Sequence, residues 1–144
     1  METEVMGRVL TEATIENLGD LWDAERGRIA PAAVRRVTVS DALVDTGATM
    51  LSLPNRLIRE LGLAKRQTRR VRTSNGLHDA GIYETVRLTI GGRDCPTDVI
   101  EVPDDTPVLI GQIPLEALDY VVDLRARRLV GNPEHGGELM YDLY

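Results

Sequence analysis

The sequence is poor in aromatic residues and in cysteine. It has no phenylalanine, one tryptophan and four tyrosines in 144 residues, so aliphatic side chains must fill any hydrophobic core. Its single cysteine, Cys95, excludes an intrachain disulfide and a zinc site built from several thiolates. We therefore expect a core of valine, leucine and isoleucine in a protein from a reducing compartment, the cytoplasm.

Basic residues and long apolar runs are also scarce. The 17 lysines and arginines are outnumbered by 23 aspartates and glutamates, and the net charge of −6 argues against a general surface for nucleic acid or anionic lipid. No stretch approaches the roughly 20 apolar residues of a membrane-spanning helix. The sequence therefore predicts a protein that binds neither nucleic acid nor a membrane.

The length of the chain fits one domain with a hydrophobic core, which we assign to residues 1–144. Residues 8–17 alternate between apolar and polar side chains, which predicts a surface or edge strand. Residues 18–33 carry charges around Gly27 and Pro31, which predicts a long connection. Apolar and β-branched residues on both sides of Asp-Thr-Gly at 45–47 then predict two strands joined through this tripeptide.

Two short helices are predicted. In residues 52–63 the apolar residues recur on one helical face, with Ser52 as a candidate cap and Gly62 as the C-terminal stop. Residues 114–120 predict a second helix, which leads into a strand.

The remaining pattern is typical of strands and tight turns. Two strand-like runs surround Ser74, Asn75 and Gly76, and Asn-Gly favours a protruding β-hairpin because both residues tolerate positive φ. A strand ending near Val102 and a terminal strand at residues 139–143 are also predicted. Many short strands with two small helices indicate a mainly β fold, a closed barrel.

The order of these motifs over residues 36–131 resembles that of the retropepsin-like aspartic proteases, the single-domain relatives of pepsin. An apolar strand enters "LVDTGAT", a short helix follows at "LPNRLIRELGL", a hairpin carries "SNG", and "LIG" precedes a helix at "PLEALDY". The resemblance implies an acid-protease-like β-barrel that is active as a twofold homodimer. It also implies an aspartic endopeptidase that acts on protein or peptide substrates without a cofactor.

The chemistry of such an enzyme explains the residue types. Hydrolysis without a metal uses one carboxylate as a base towards water and one carboxylic acid to polarise the carbonyl oxygen. The resemblance places the catalytic triplet at Asp45, Thr46 and Gly47: the aspartate acts on water, the threonine hydroxyl grips the opposite loop, and the glycine lets backbones approach closely. The implied substrate-binding residues of the flap and loops are Ala48, Ser74, Asn75, Gly76, Ile110 and Gly111.

The second carboxylate has no source within the chain. The sequence holds one Asp-Thr-Gly and is less than half the size expected for a two-lobed pepsin-like protein. A second copy would supply the partner aspartate across a twofold axis, the symmetry most homodimers use.

Simpler interpretations stand beside these. The triplet is also compatible with a solvent-facing turn, and "SNG" with an ordinary hairpin. His78 and His135 are near acidic residues in the sequence, but the spacing is not that of metal ligands. We therefore interpret these residues as a chance surface cluster and expect no metal. Alternative functions are a non-catalytic dimerisation or peptide-binding module and, less favoured, a small adapter or antitoxin. A solvated strand face is predicted for the basic residues Lys65, Arg66, Arg69, Arg70 and Arg72.

Overall fold

The computed structural model describes residues 8–144, so the first seven residues of the predicted domain lie outside it. Within this range, nine strands and three α-helices follow the chain, and the mainly β class is confirmed. The helices are α1 (Leu18–Glu25), α2 (Asn55–Glu60) and α3 (Gln112–Leu118). The strands are β1 (Val9–Asn17), β2 (Arg36–Val44), β3 (Leu51–Pro54), β4 (Lys65–Thr73), β5 (Gly76–Ile90), β6 (Arg93–Val102), β7 (Leu109–Ile110), β8 (Tyr120–Asp123) and β9 (Arg128–Gly131).

Seven strands form one sheet in the order β1-β2-β7-β3-β6-β5-β4, and β1 also pairs with β5. Six strands therefore pair in a closed cycle, while β4 extends from β5 outside it. The predicted edge position of residues 8–17 is wrong, because β1 lies between β2 and the Val86–Thr89 part of β5. Two pairs, β2 with β7 and β3 with β6, are parallel.

Aliphatic side chains fill the interior of this cycle, as the composition predicts. Leu51 and Ile110 are cross-strand partners on β3 and β7, and both are 0% exposed. Leu88 from β5 and Leu118 from α3 are equally buried. Because β7 lies between β2 and β3, its two residues are paired with a strand on each side.

Helix α2 lies where the sequence predicts it, and Gly62 follows it with a φ of +67°. The predicted cap is wrong, however. Ser52 is buried within β3, and Pro54 occupies the N-cap position without a side-chain hydrogen bond. Pro54 sets the helical start through its fixed φ rather than through an acceptor.

Helix α1 replaces part of the long connection predicted for residues 18–33. The Asn17 side chain accepts a hydrogen bond from Asp20 N at 3.0 Å and donates one to the carbonyl oxygen of Leu61 at 2.8 Å. This cap satisfies a helical amide and ties the start of α1 to the end of α2. Because α1 was not predicted, the described residues contain three α-helices rather than the two that the sequence predicts.

The predicted hairpin is confirmed by the pairing of β4 with β5, but its turn is Ser74–Asn75, one residue before the predicted Asn-Gly, with Thr73 paired to Gly76. Of Asn75 and Gly76, only Gly76 has a positive φ, +102°. The predicted terminal strand is wrong, since residues 138–144 form no strand. Backbone groups near this segment bind side chains instead: Met140 N donates to Asp119 at 3.1 Å, and Arg93 donates to the Gly137 carbonyl.

Among residues 8–144, no helix is both long enough and apolar enough to span a membrane.

Candidate active site

The site is built where two parallel strands end side by side. In β2 and β7, Val44 lies opposite Ile110, so Asp45 and Gly111 leave the sheet at the same edge. Asp45 N donates a hydrogen bond to the carbonyl oxygen of Ile110 at 2.9 Å. The backbone of Asp45 is thus fixed by the central strand β7.

The Asp45 carboxylate is held by the turn that follows it. Gly47 N donates to Asp45 Oδ1 at 3.0 Å, and Ala48 N donates to the Asp45 carbonyl oxygen at 3.0 Å. A Cβ on Gly47 would lie 3.3 Å from Asp45 Oδ1, which is tighter than most such contacts. The turn therefore orients one carboxylate oxygen, and the side chain remains half-buried rather than enclosed.

The loop after Asp45 packs directly on the start of α3. Gln112 N donates to the carbonyl oxygen of Ala48 at 2.8 Å, and Ile113 N donates to that of Thr49 at 2.9 Å. These bonds satisfy amides that the first turn of a helix leaves without intrahelical partners. The loop is therefore held at two places, by Ile110 of β7 at its start and by the first turn of α3 further along.

A cleft of about 1570 Å³ opens beside this loop. It is lined by Asp45, Gly47 and Ala48 together with Ser74 and Asn75 at the hairpin turn. The structure thus brings five of the nine predicted site residues to one cleft. The other four do not line it: Thr46 and Gly76 are exposed, whereas Ile110 and Gly111 are buried beneath the loop.

The model of one family, described as aspartyl protease, matches residues 30–112, which is more than half of the chain. The chain belongs to this aspartyl protease family. The match spans the Asp45 turn, the hairpin and Gly111, and the retropepsin-like resemblance is confirmed. A comparison with curated proteins found no match.

In this aspartyl protease domain, the cleft includes residues that the sequence analysis left out. Ile82 and Ile100 are cross-strand partners on β5 and β6, and both line the cleft with Leu109. Their alternation along the strands was visible, but the face that meets the cleft depends on register. Three arginines expected on a solvated strand face also line it: Arg69, Arg70 and Arg72.

The two histidines lie in separate places in this domain. His78 lines the cleft, whereas His135 Nδ1 lies 2.7 Å from Asp119 Oδ2, and its Nε2 lies 3.2 Å from Asp142 Oδ2. The hydrogen bond with Asp119, followed by that with Asp142, raises the pKa of His135. The same bond with His135 lowers the pKa of Asp119. This pair fastens the C-terminal segment to the end of α3.

Neither a metal centre nor a reactive thiol stands out in the part of the chain that is described. No three His, Cys, Asp or Glu residues converge there to hold a metal ion. Burial, and then the charge of Asp94, raises the pKa of the Cys95 thiol to about 11. Cys95 is therefore a protonated side chain that packs in the core.

Proposed function

We propose that the protein is an aspartic endopeptidase that works as a homodimer, with one Asp45 from each subunit. The placement of Asp45 carries the proposal: it follows the paired ends of β2 and β7, its carboxylate is oriented by Gly47 N, and it faces a cleft. The cleft volume of about 1570 Å³ exceeds that of ordinary small-molecule pockets, and an extended peptide would fit such a space.

The reaction needs two carboxyl groups that share one proton. Carboxylates about 3 Å apart cannot both ionise, as in the well-known aspartic protease dyads. The ionised Asp45 takes a proton from water, and the water oxygen attacks the peptide carbonyl carbon. The protonated Asp45 of the second subunit donates its proton to the carbonyl oxygen. The tetrahedral intermediate then collapses: the first Asp45 gives the proton it took from water to the leaving nitrogen, and the C–N bond breaks. A hydroxyl of the intermediate re-forms the carbonyl and returns its proton to the Asp45 of the second subunit, so the pair again shares one proton.

The neighbouring residues receive distinct roles in this proposal. The exposed Thr46 hydroxyl would reach the equivalent loop of the second subunit, and Gly47 N holds one oxygen of Asp45. Ile110 and Gly111 fix the loop backbone from beneath. The residues proposed to contact or cover the peptide are Ala48, Ser74, Asn75 and Gly76.

We also propose a fold and a domain organisation for the chain. The closed cycle of six strands supports an acid-protease-like β-barrel, and residues 1–144 would form a single domain. Cys95 is a free buried thiol, which suits a reducing compartment such as the cytoplasm.

Digestion of a peptide library, followed by mass spectrometry, tests the proposal. Wild-type protein should cleave a defined set of peptides, and Asp45→Asn should reduce cleavage to the background level while the fold is retained. Asp41→Asn is the matched control, because Asp41 is an exposed carboxylate on β2 that does not line the cleft. Cleavage by the Asp45→Asn variant at the wild-type rate would overturn the proposal.

A binding measurement with the same peptide library separates the alternative function. If wild-type protein binds library peptides and releases them uncut, the chain is a peptide-binding module rather than an enzyme. A circular dichroism spectrum and an unfolding midpoint for each variant would show that a loss of cleavage is not a loss of folding.

A further inference from the structure

Strand β4 is the most basic element of an acidic chain. Residues 65–73 read KRQTRRVRT and contain five cationic side chains with no aspartate or glutamate, whereas the whole chain has a net charge of −6. Eight of these nine residues are exposed. The hairpin therefore carries a concentrated positive charge beside a cleft that holds the candidate catalytic carboxylate.

Register decides which of these cations faces the cleft. Residues directly opposite each other in an antiparallel pair project from the same face. Arg69 lies opposite Ala80, and the next pair on this face towards the base of the hairpin is Gln67 with Ile82. Ala80 and Ile82 are buried and line the cleft, so Arg69 lies on the cleft face of the hairpin.

Within residues 8–144, Arg69 has no carboxylate partner. Its guanidinium donates one side-chain hydrogen bond, from Nη2 to Gln67 Oε1 at 3.2 Å, and within residues 8–144 it forms no ion pair. Arg70 also borders the cleft, but it alternates onto the other face of the strand and is paired with Asp79, with 3.7 Å between Nε and Oδ1. A peptide that covered Arg69 would remove water from an uncompensated cation, which costs free energy unless the peptide brings a carboxylate.

We infer that Arg69 selects substrates with an acidic side chain where the peptide passes beneath the hairpin. This inference rests on the proposed function, since it concerns the peptide in the same cleft. A guanidinium and a carboxylate form two parallel hydrogen bonds, which a lysine or an amide side chain does not match. Arg72 lies opposite Leu77 on the same strand face as Arg70, but it also borders the cleft and has no ion pair among the described residues, so it adds to the positive charge there.

Binding to the Asp45→Asn protein tests the inference without requiring catalysis. Fluorescence anisotropy would compare labelled peptides that carry glutamate, glutamine or lysine at one position and are otherwise identical. Because the cleft is open to solvent, we expect about a three- to tenfold preference for glutamate over glutamine, as for a partly desolvated ion pair. The preference should shrink at high salt, where screening acts over a few ångströms.

Two substitutions in that background show whether Arg69 is responsible. Arg69→Gln should remove the preference for glutamate, and Arg69→Glu should shift it to lysine. Arg66→Gln is the matched control, because Arg66 is an exposed arginine of the same strand that does not line the cleft. It should leave the preference within twofold of the parent protein.

The outcomes separate this inference from the proposed function. Equal binding of the three peptides, or an equal loss in Arg69→Gln and Arg66→Gln, would overturn the role of Arg69 even if wild-type protein cleaves peptides. A glutamate preference that depends on Arg69, in a protein that cuts nothing, would keep the inference and overturn the endopeptidase. Tighter binding of a single-stranded oligonucleotide than of the acidic peptide would also overturn it, because the cations would then serve a nucleic acid.

Discussion

Gly111 N donates a hydrogen bond to the carbonyl oxygen of Met50 at 3.0 Å, and a Cβ on Gly111 would lie 2.5 Å from that same oxygen. The close approach of these two backbones lets the Asp45 loop rest against the start of α3. The φ of Gly111 is −87°, so the requirement is for space and not for an unusual backbone conformation.

Gly111→Ala should therefore displace the loop that holds Asp45. The added methyl group would meet backbone atoms, which do not move aside cheaply, and we expect the free energy of unfolding to fall by about 1–3 kcal/mol. Gly19→Ala in α1 is the control, because its Cβ would meet only Asn17 Oδ1, at 3.4 Å. Urea unfolding of both variants is the measurement, and equal stability for the two would contradict this role of Gly111.

Gly76→Val tests whether the hairpin turn covers substrate. Gly76 has a φ of +102° and open space around a prospective Cβ, so valine would strain the backbone at the turn without a steric clash. We expect KM to rise severalfold. Gly92→Val is matched, because Gly92 also has open space and a positive φ, +83°, in a turn that does not line the cleft. A similar change in KM for both variants would favour an ordinary hairpin.

The sequence predicts the turn at Asp45 and the β4–β5 hairpin because each depends on a few local residues. Asp-Thr-Gly at 45–47 forms its own turn, Gly76 takes a positive φ directly after the Ser74–Asn75 turn, and Gly62 ends α2 by its own conformation. Helix α1 is not predictable in this way. Its cap, Asn17, is also bonded to the distant carbonyl of Leu61, and the helix is stabilised by that tertiary contact.

Longer-range structure explains the other differences. The alternation of residues 139–143 favours a strand, but Asp119 and Arg93 engage backbone groups around this segment. The cleft position of Arg69 follows from a register irregularity between Lys65 and Gln67, which shifts every later side chain of β4 relative to β5. A run of basic residues does not show which side of a strand faces a cleft, so the sequence predicts only that these arginines are exposed to solvent.

His135 should make stability depend on pH. Its pKa is raised in the folded protein by Asp119 and Asp142, so its stabilising contribution is complete below the unfolded value of about 6.5 and is lost as pH rises through the raised value. The pKa of Asp119 is lowered in the folded protein, so its stabilising contribution is complete above the unfolded pKa of about 3.9. This contribution is lost as pH falls through the lower, folded-state pKa.

Unfolding midpoints in urea between pH 4 and pH 9 would measure this dependence. His135→Gln should flatten the decline on the alkaline side, whereas His78→Gln, which alters an exposed histidine of the hairpin, should preserve it. An unchanged alkaline decline in His135→Gln would show that other groups cause it.

Thr46→Val should weaken the proposed dimer. If the exposed hydroxyl reaches the second subunit, its loss removes one hydrogen bond from each subunit, each with a value of about 1 kcal/mol. We expect the dimer dissociation constant to rise about tenfold or more in sedimentation equilibrium. Thr46→Ser keeps the hydroxyl and should restore wild-type association. Equal dissociation constants for the valine and wild-type proteins would exclude the contact.

The central claim is that two copies of Asp45 form one catalytic centre. Its most direct test is peptidase activity per milligram over a wide range of protein concentration, with mass determined by sedimentation at the same concentrations. Activity per milligram should fall on dilution in parallel with the dimer fraction, because a monomer holds half of the catalytic pair. Full activity in a species shown to be monomeric would contradict the account.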